Sequence, residues 1–232
     1  MRLDQFLSKT TELSRSEAKS VLKKGRVEVN GKTEKSPKIH VQDSDTITLD
    51  GQALVYEQFV YYMMNKPAGI ISASDDKYEM TVVDLLETGR EDLFPVGRLD
   101  RDTTGLLLIT NDGQLAHRLL SPKHHVDKVY EARVARPLTQ DDIEAFEAGI
   151  ELSDFTCQPA TLEIVGNTLA RVTIHEGKFH QVKRMFLAIG NEVVALKRVA
   201  MGPLTLDPKL AEGAFRPLSS EEMVSLQDKN MV

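Results

Sequence analysis

The sequence has no tryptophan and a single cysteine, Cys157, in 232 residues. One thiol excludes an internal disulfide and any thiolate-built metal cluster, so Cys157 reads as a small hydrophobe. Without tryptophan, the chain lacks the broadest of the aromatic platforms on which a carbohydrate groove rests its sugars. No run reaches the roughly 20 apolar residues of a membrane span, and Met1-Arg2-Leu3-Asp4 begins no apolar signal segment. A soluble, cytoplasmic, monomeric protein is expected.

An excess of basic charge is also missing. The chain holds 29 Lys and Arg against 35 Asp and Glu, a net charge of −6. Taken whole, that argues against a nucleic-acid partner, but the distribution reverses the inference. Residues 1–38 carry ten basic and five acidic side chains, so the head is +5 and the remainder −11. Local patches, not the whole-chain charge, then decide what binds. Histidines offer no metal site: His117, His124, His125, His175 and His180 include no pair at helical spacing beside a carboxylate.

The head reads as two helices and a hairpin. Leu3, Phe6 and Leu7 recur at helical spacing. Ser14 and Glu17 form a capping box for a second helix that Gly25 ends. Its Arg15, Lys19 and Lys23 share a stripe, next to an apolar stripe of Ala18, Val21 and Leu22. Arg26 to Val29 alternates as a strand into Asn30-Gly31, and a second strand is expected near Thr46–Leu49. A lysine and arginine face of this kind can follow a phosphate backbone; taken alone, such a stripe is more often just a solvated helix face.

From Phe59 onward, apolar runs at 59–64, 106–110, 129–134, 161–164, 170–174 and 193–196 predict strands. Helical spacing marks 113–120, 139–148 and 180–188. Strands outnumber helices and several follow each other through short turns. An α+β body with a mixed, mostly antiparallel sheet is the expected architecture.

Four pieces of the body can carry chemistry. The first is Asn65-Lys66-Pro67-x-Gly69, a strand end that presents a lysine. Gly97-Arg98-Leu99-Asp100-Arg101-Asp102 puts two carboxylates among two arginines ahead of a turn at Thr103–Gly105 and a buried run. A carboxylate held rigidly beside guanidinium groups suits a nucleophile or general base; a surface salt-bridge cluster fits the same residues. Lys128-x-Tyr130 places two side chains on one strand face. Gly177 to Phe186 opens a helix with a basic first turn, against the helix dipole, which calls for an anion nearby. As a spaced carboxylate pair, Asp100 and Asp102 also fit a glycosidase, a reading that the missing tryptophan weakens.

Two family resemblances then join these pieces. Arg2-Leu3-Asp4, Ser14-Arg15-Ser16-x-Ala18, Gly25-Arg26-Val27-x-Val29-Asn30-Gly31 and Asp45-x-Ile47 resemble the S4 RNA-binding domain. Gly97-Arg98-Leu99-Asp100 with Asp102-Thr103-Thr104-Gly105-Leu106, Lys128-x-Tyr130 and His180-Gln181-Val182-Lys183-Arg184-Met185 resemble pseudouridine synthases of the ribosomal small-subunit class. Relatives acting on large-subunit RNA tend to carry Arg before Gln181 and at position 183.

The resemblance implies an S4-like domain over 1–50, a linker over 51–58 and a pseudouridine synthase domain over 59–232. It implies isomerisation of a uridine in 16S ribosomal RNA, of the uridine-516 type, free or in an assembly particle, without a cofactor or metal. Asp100, Tyr130 and Lys183 would be the catalytic set. Arg2, Arg15, Lys19, Lys23, Arg26, Lys66, Arg98, Arg101 and Arg184 would contact RNA, with Arg184 taking over from Lys183 if the latter points away. A synthase for large-subunit RNA and a non-catalytic assembly factor stay open as alternatives.

Overall fold

The computed structural model describes residues 1–42 and 44–227, and the chain divides between Gln58 and Phe59 into two units. In the first, the apolar stripes of α1 (Leu3–Thr10) and α2 (Arg15–Lys23) meet Val27, Val41 and Ile47 in one core. The capping box forms: Glu17 N–H donates to Ser14 Oγ at 3.3 Å, and Ser14 N–H donates to Glu17 Oε2 at 2.8 Å. Asn30 and Gly31, both at positive φ, turn β1 (Val27–Val29) into β2 (Lys32–Thr33). β3 (Ile47–Leu49) pairs with the other edge of β1.

Residues 51–58 differ from the linker expected there. Asp50 and Gly51 both sit at positive φ and make a second tight hairpin, so β4 (Gln52–Leu54) pairs with β3. Leu54 and Tyr56 pack on the head core, and the sheet order is β2-β1-β3-β4.

The second unit is built on β5 (Tyr61–Lys66), β6 (Phe94–Pro95), β7 (Thr104–Thr110), β8 (Lys128–Val134), β9 (Thr161–Gly166), β10 (Leu169–Ile174), β11 (Val193–Met201), β12 (Leu204–Thr205) and β13 (Phe215–Pro217). The main order is β13-β5-β7-β11-β8-β10-β9, and among these pairings only β7 with β11 is parallel. The mostly antiparallel α+β body expected from the sequence is the one observed.

Both faces of this sheet are covered, which is why residues 106–109 form an unbroken apolar run instead of alternating. Leu107 and Ile109 face one core with α4 (Gln140–Ala148) and α5 (Gln181–Ala188), through Phe146, Val182, Met185 and Phe186. Leu106 and Leu108 face the other with α3 (Gly113–Leu120) and Leu226 of α6 (Ser220–Gln227). β13 had no sequence signal because Pro217 interrupts its pattern; it survives as an edge strand, where a missing N–H is tolerated. Among the described residues, no helix is long and apolar enough to cross a membrane.

Candidate active site

The sheet order determines the site. β7 is preceded by a tight turn in which Thr103 N–H donates to Asp100 O at 3.1 Å, so Asp100 and Asp102 occupy a turn and not one strand edge. The chain reverses at 100–103, earlier than the expected 103–105, and Thr104 already belongs to the strand. Two buried groups hold this turn. Ser72 Oγ donates to Leu99 O at 3.0 Å and accepts from Leu99 N–H at 3.1 Å. Lys66, fully buried at the end of β5, donates to the carbonyls of Pro67, Asp100, Arg101 and Thr103 at 3.0–3.2 Å.

Lys66 was expected at a phosphate; burial and these carbonyls make it a brace for the Asp100 turn instead. Burial pushes its ammonium down to about 8, against the smaller opposing pull of Asp102 and Asp100. A neutral amine has fewer protons to share among four carbonyls than the three of the ammonium. The rate at saturating substrate is therefore expected to fall on an alkaline limb centred near pH 8. A profile flat from pH 7 to 9.5 would contradict it. The stability effect has the opposite sign. Between about 8 and 10.5 the unfolded chain keeps the proton that the folded one has lost, so this group's contribution to stability rises with pH there. Loss of activity without unfolding marks Lys66.

α5 brings the third element. Lys183 Nζ lies 2.8 Å from Asp100 Oδ2 and 2.6 Å from Asp102 Oδ1, so the anion demanded by the basic first turn is a pair of protein carboxylates. Burial works to lower the Lys183 ammonium, but hydrogen bonds to Asp100 and Asp102 outweigh it and the net direction is up. The same hydrogen bond holds Asp102 below the usual carboxylate range, against partial burial. His180 Nε2 lies 3.5 Å from Asp100 Oδ1, and its ring stacks on exposed Phe179 at 3.7 Å.

Under Asp100 lies a cavity of about 130 Å³, with Arg98, Lys128, Tyr130, His180 and Arg198 in its walls. Tyr130 is 8% exposed, and its hydroxyl has no hydrogen-bond partner among the described residues. Asp100 and Tyr130, 30 residues apart in sequence, thus share one cavity, and Lys183, 53 residues further on, pairs with Asp100 beside it. A carboxylate facing a recess with an aromatic wall can attack an electrophilic carbon of a ring seated there.

The other expected contacts divide. Arg98 is exposed at the cavity mouth and has no partner among the described residues. Arg101 is exposed but pairs with Glu79 at 3.0 Å and donates to Gly69 O. Arg184 is engaged by Asp154 and lies over Phe155, so it neither replaces Lys183 nor offers a free cation. On the head, Arg26 is paired with Asp50 and Arg2 forks onto buried Asp4, whereas Arg15, Lys19 and Lys23 are exposed and have no ion pair within 4 Å among the described residues. The sequence reading missed Ser72, His180 as a neighbour of Asp100, and Arg198. Arg198 shares the inward parity of Leu196 on β11, the one signal that marked it.

Comparison with known proteins agrees with this geometry. Residues 60–188 match the family model for RNA pseudouridylate synthase, and residues 1–47 match the S4 domain. A Bacillus subtilis protein named as an uncharacterized RNA pseudouridine synthase, YtzG, is 49% identical over 98% of this chain and 99% of its own. Ribosomal small subunit pseudouridine synthase A of Escherichia coli K12 is 41% identical over 97% of this chain and all of its own. The Vibrio cholerae protein of the same name reaches 43% over 97% of this chain and 99% of its own. A crystal structure of a pseudouridylate synthase superposes with a TM-score of 0.70 at 39% identity, covering 97% of this chain and 99% of that one. A shared sequence over nearly the full length, a shared fold and a carboxylate at the mouth of an aromatic-walled recess lead to one conclusion: this chain belongs to the RNA pseudouridylate synthase family and carries an S4 domain at its head.

Proposed function

We propose that the protein converts one uridine of small-subunit ribosomal RNA, of the uridine-516 type, into pseudouridine. The observation that carries this reading is a cavity lined by both Asp100 and Tyr130, with Lys183 paired to Asp100 at 2.8 Å. The names of the relatives at 41–43% identity support the small-subunit substrate. Asp100 is the nucleophile, attacking the sugar C1′ or the uracil ring while the glycosidic bond breaks. Lys183 aims and neutralises it, and Tyr130 lies against the base. The product is an isomer of the substrate, so the reaction's atoms and electrons balance with no cofactor consumed.

The target must leave its stack, at a cost of a few kcal/mol that phosphate contacts offset. Arg98 is placed at the mouth for one such contact, and Arg15, Lys19 and Lys23 give the head a free basic face. The protein works as a monomer in the cytoplasm, on 16S RNA or an assembly particle. The test is incubation with small-subunit RNA labelled with tritium at uridine C5. Wild type should release tritium to water from one nucleotide, with no release from large-subunit RNA. Release only from large-subunit RNA would replace the substrate; release from neither free RNA nor particles would leave an assembly factor.

The head has its own prediction. Reversing Arg15 and Lys19 together to glutamate should weaken RNA binding about tenfold or more and reduce the salt slope by about two. The single-turnover rate at saturating RNA should not change, because neither residue belongs to the unit that holds Asp100. A changed slope with unchanged saturating rate is what filter binding and kinetics should show together.

A further inference from the structure

The cavity under Asp100 has a charged wall that the roles of Asp100, Lys183 and Tyr130 leave unused. Arg198 is 2% exposed and projects from β11, in register with Tyr130 on β8 and Gly105 on β7. Its Nε donates to Leu106 O at 2.8 Å, the one side-chain hydrogen bond of Arg198 among the described residues; Nη2 is buried without an acceptor. Lys128 lines the same cavity, 8% exposed, with Nζ donating to Val126 O at 2.7 Å. Neither cation has an ion-pair partner within 4 Å among the described residues. Burial, and after it the charge of Arg198, lowers the Lys128 ammonium.

Two desolvated cations side by side, one with unsatisfied donors, destabilise a fold unless something else meets them. An electron-rich carbonyl edge in the cavity supplies what is missing: acceptors for the free guanidinium donors and a place where negative charge collects. Tyr130 supplies the apolar wall for the same ring.

We infer that Arg198 binds a carbonyl oxygen of the everted uracil and stabilises the charge held there while the base is detached from its sugar. This rests on the isomerase reading above and adds a residue that touches the substrate. When the C1′–N1 bond breaks, its electron pair stays with the base and spreads from N1 onto O2 and O4. Formation of the C5–C1′ bond uses a ring electron pair, the bond that Asp100 had made breaks with its pair returning to the carboxylate, C5 then loses its proton, and N1 gains one. The charge at the oxygens therefore rises and falls within the cycle, which a fixed guanidinium favours over the neutral ground state. O2 and O4 share this chemistry, and sulfur substitution separates them.

The experiment is single-turnover tritium release from target RNA bearing uridine, 2-thiouridine or 4-thiouridine at the modified position. Sulfur is a poor acceptor, so wild type should slow about tenfold or more with one sulfur and less than about threefold with the other. Arg198→Met should lower the saturating rate on uridine about 100-fold, with RNA affinity within about twofold, and lose the difference between the two sulfurs. Arg198→Lys should recover part of the rate. Retention of both the wild-type rate and the sulfur selectivity by Arg198→Met overturns the inference. Should neither variant fold, wild type alone decides: selective loss at one sulfur supports it, and equal loss or none overturns it. No tritium release from uridine RNA by wild type overturns the isomerase reading itself, whereas release indifferent to sulfur overturns only the part played by Arg198.

Discussion

Asp100→Asn is expected to lower turnover by about 10⁴–10⁶-fold, the range lost when an enzyme's nucleophile is removed. The substitution keeps the size of the side chain and removes only the anionic oxygen that Lys183 holds at 2.8 Å. RNA affinity should stay within about twofold, since the free cations Arg98, Arg15, Lys19 and Lys23 are untouched. Neighbouring substitutions sharpen the test. Asp102 is three-quarters exposed and shares the same ammonium, so Asp102→Asn should cost less than about tenfold. A glycosidase-like pair would need both carboxylates, and comparable losses at 100 and 102 would revive that reading. Lys183→Met leaves Asp100 without its aiming partner and should fall in between, at about 10²–10³-fold. Substantial tritium release by Asp100→Asn would end the assignment of the nucleophile.

The second large effect concerns the fold beneath the site. Gly105 sits at φ +102°, and a Cβ placed there would lie 2.2 Å from Arg198 O and 2.8 Å from Arg198 N. Both atoms are backbone in the central strand, so neither can swing aside. Gly105→Ala adds backbone strain to a steric overlap and is expected to destabilise the protein by about 3 kcal/mol or more. Urea unfolding measures it as a lower midpoint with an unchanged slope. Gly113→Ala is the control: its Cβ meets nothing within 4 Å and φ is not positive, so stability should change by less than about 1 kcal/mol. Equal midpoints for the two variants would contradict the close approach of β7 to β11. Any folded Gly105→Ala protein should also be slow, because the strand that moves carries the turn with Asp100.

The local elements were legible because their signals are local. Ser14 with Glu17, the Asn30-Gly31 turn and the spacing of Leu3, Phe6 and Leu7 each act within a few residues, and all appear as read. Asp50-Gly51 carried the same kind of turn signal, and reading it as the start of a linker cost the head its fourth strand. Lys66 misled for a different reason. A lysine at a strand end looks like a surface cation until the carbonyls of a distant turn are shown to surround it. Arg184 and Arg26 similarly looked free until Asp154 and Asp50 were placed beside them.

The chain alone determined that a basic two-helix head precedes an α+β body, and that an aspartate, a tyrosine and a lysine stand in the pattern of one enzyme family. The first follows from periodicity and capping, and the second is what the resemblance to a known family implies; neither needs a partner further along the chain. Tertiary structure decided which charges are paired, that Lys66 braces the Asp100 turn, that Lys183 pairs with Asp100 and that Arg198 stands in the cavity wall. That choice depends on the parallel pairing of β7 with β11, which joins residues about 90 positions apart. No short-range preference encodes such a pairing; burial of both faces of one sheet does.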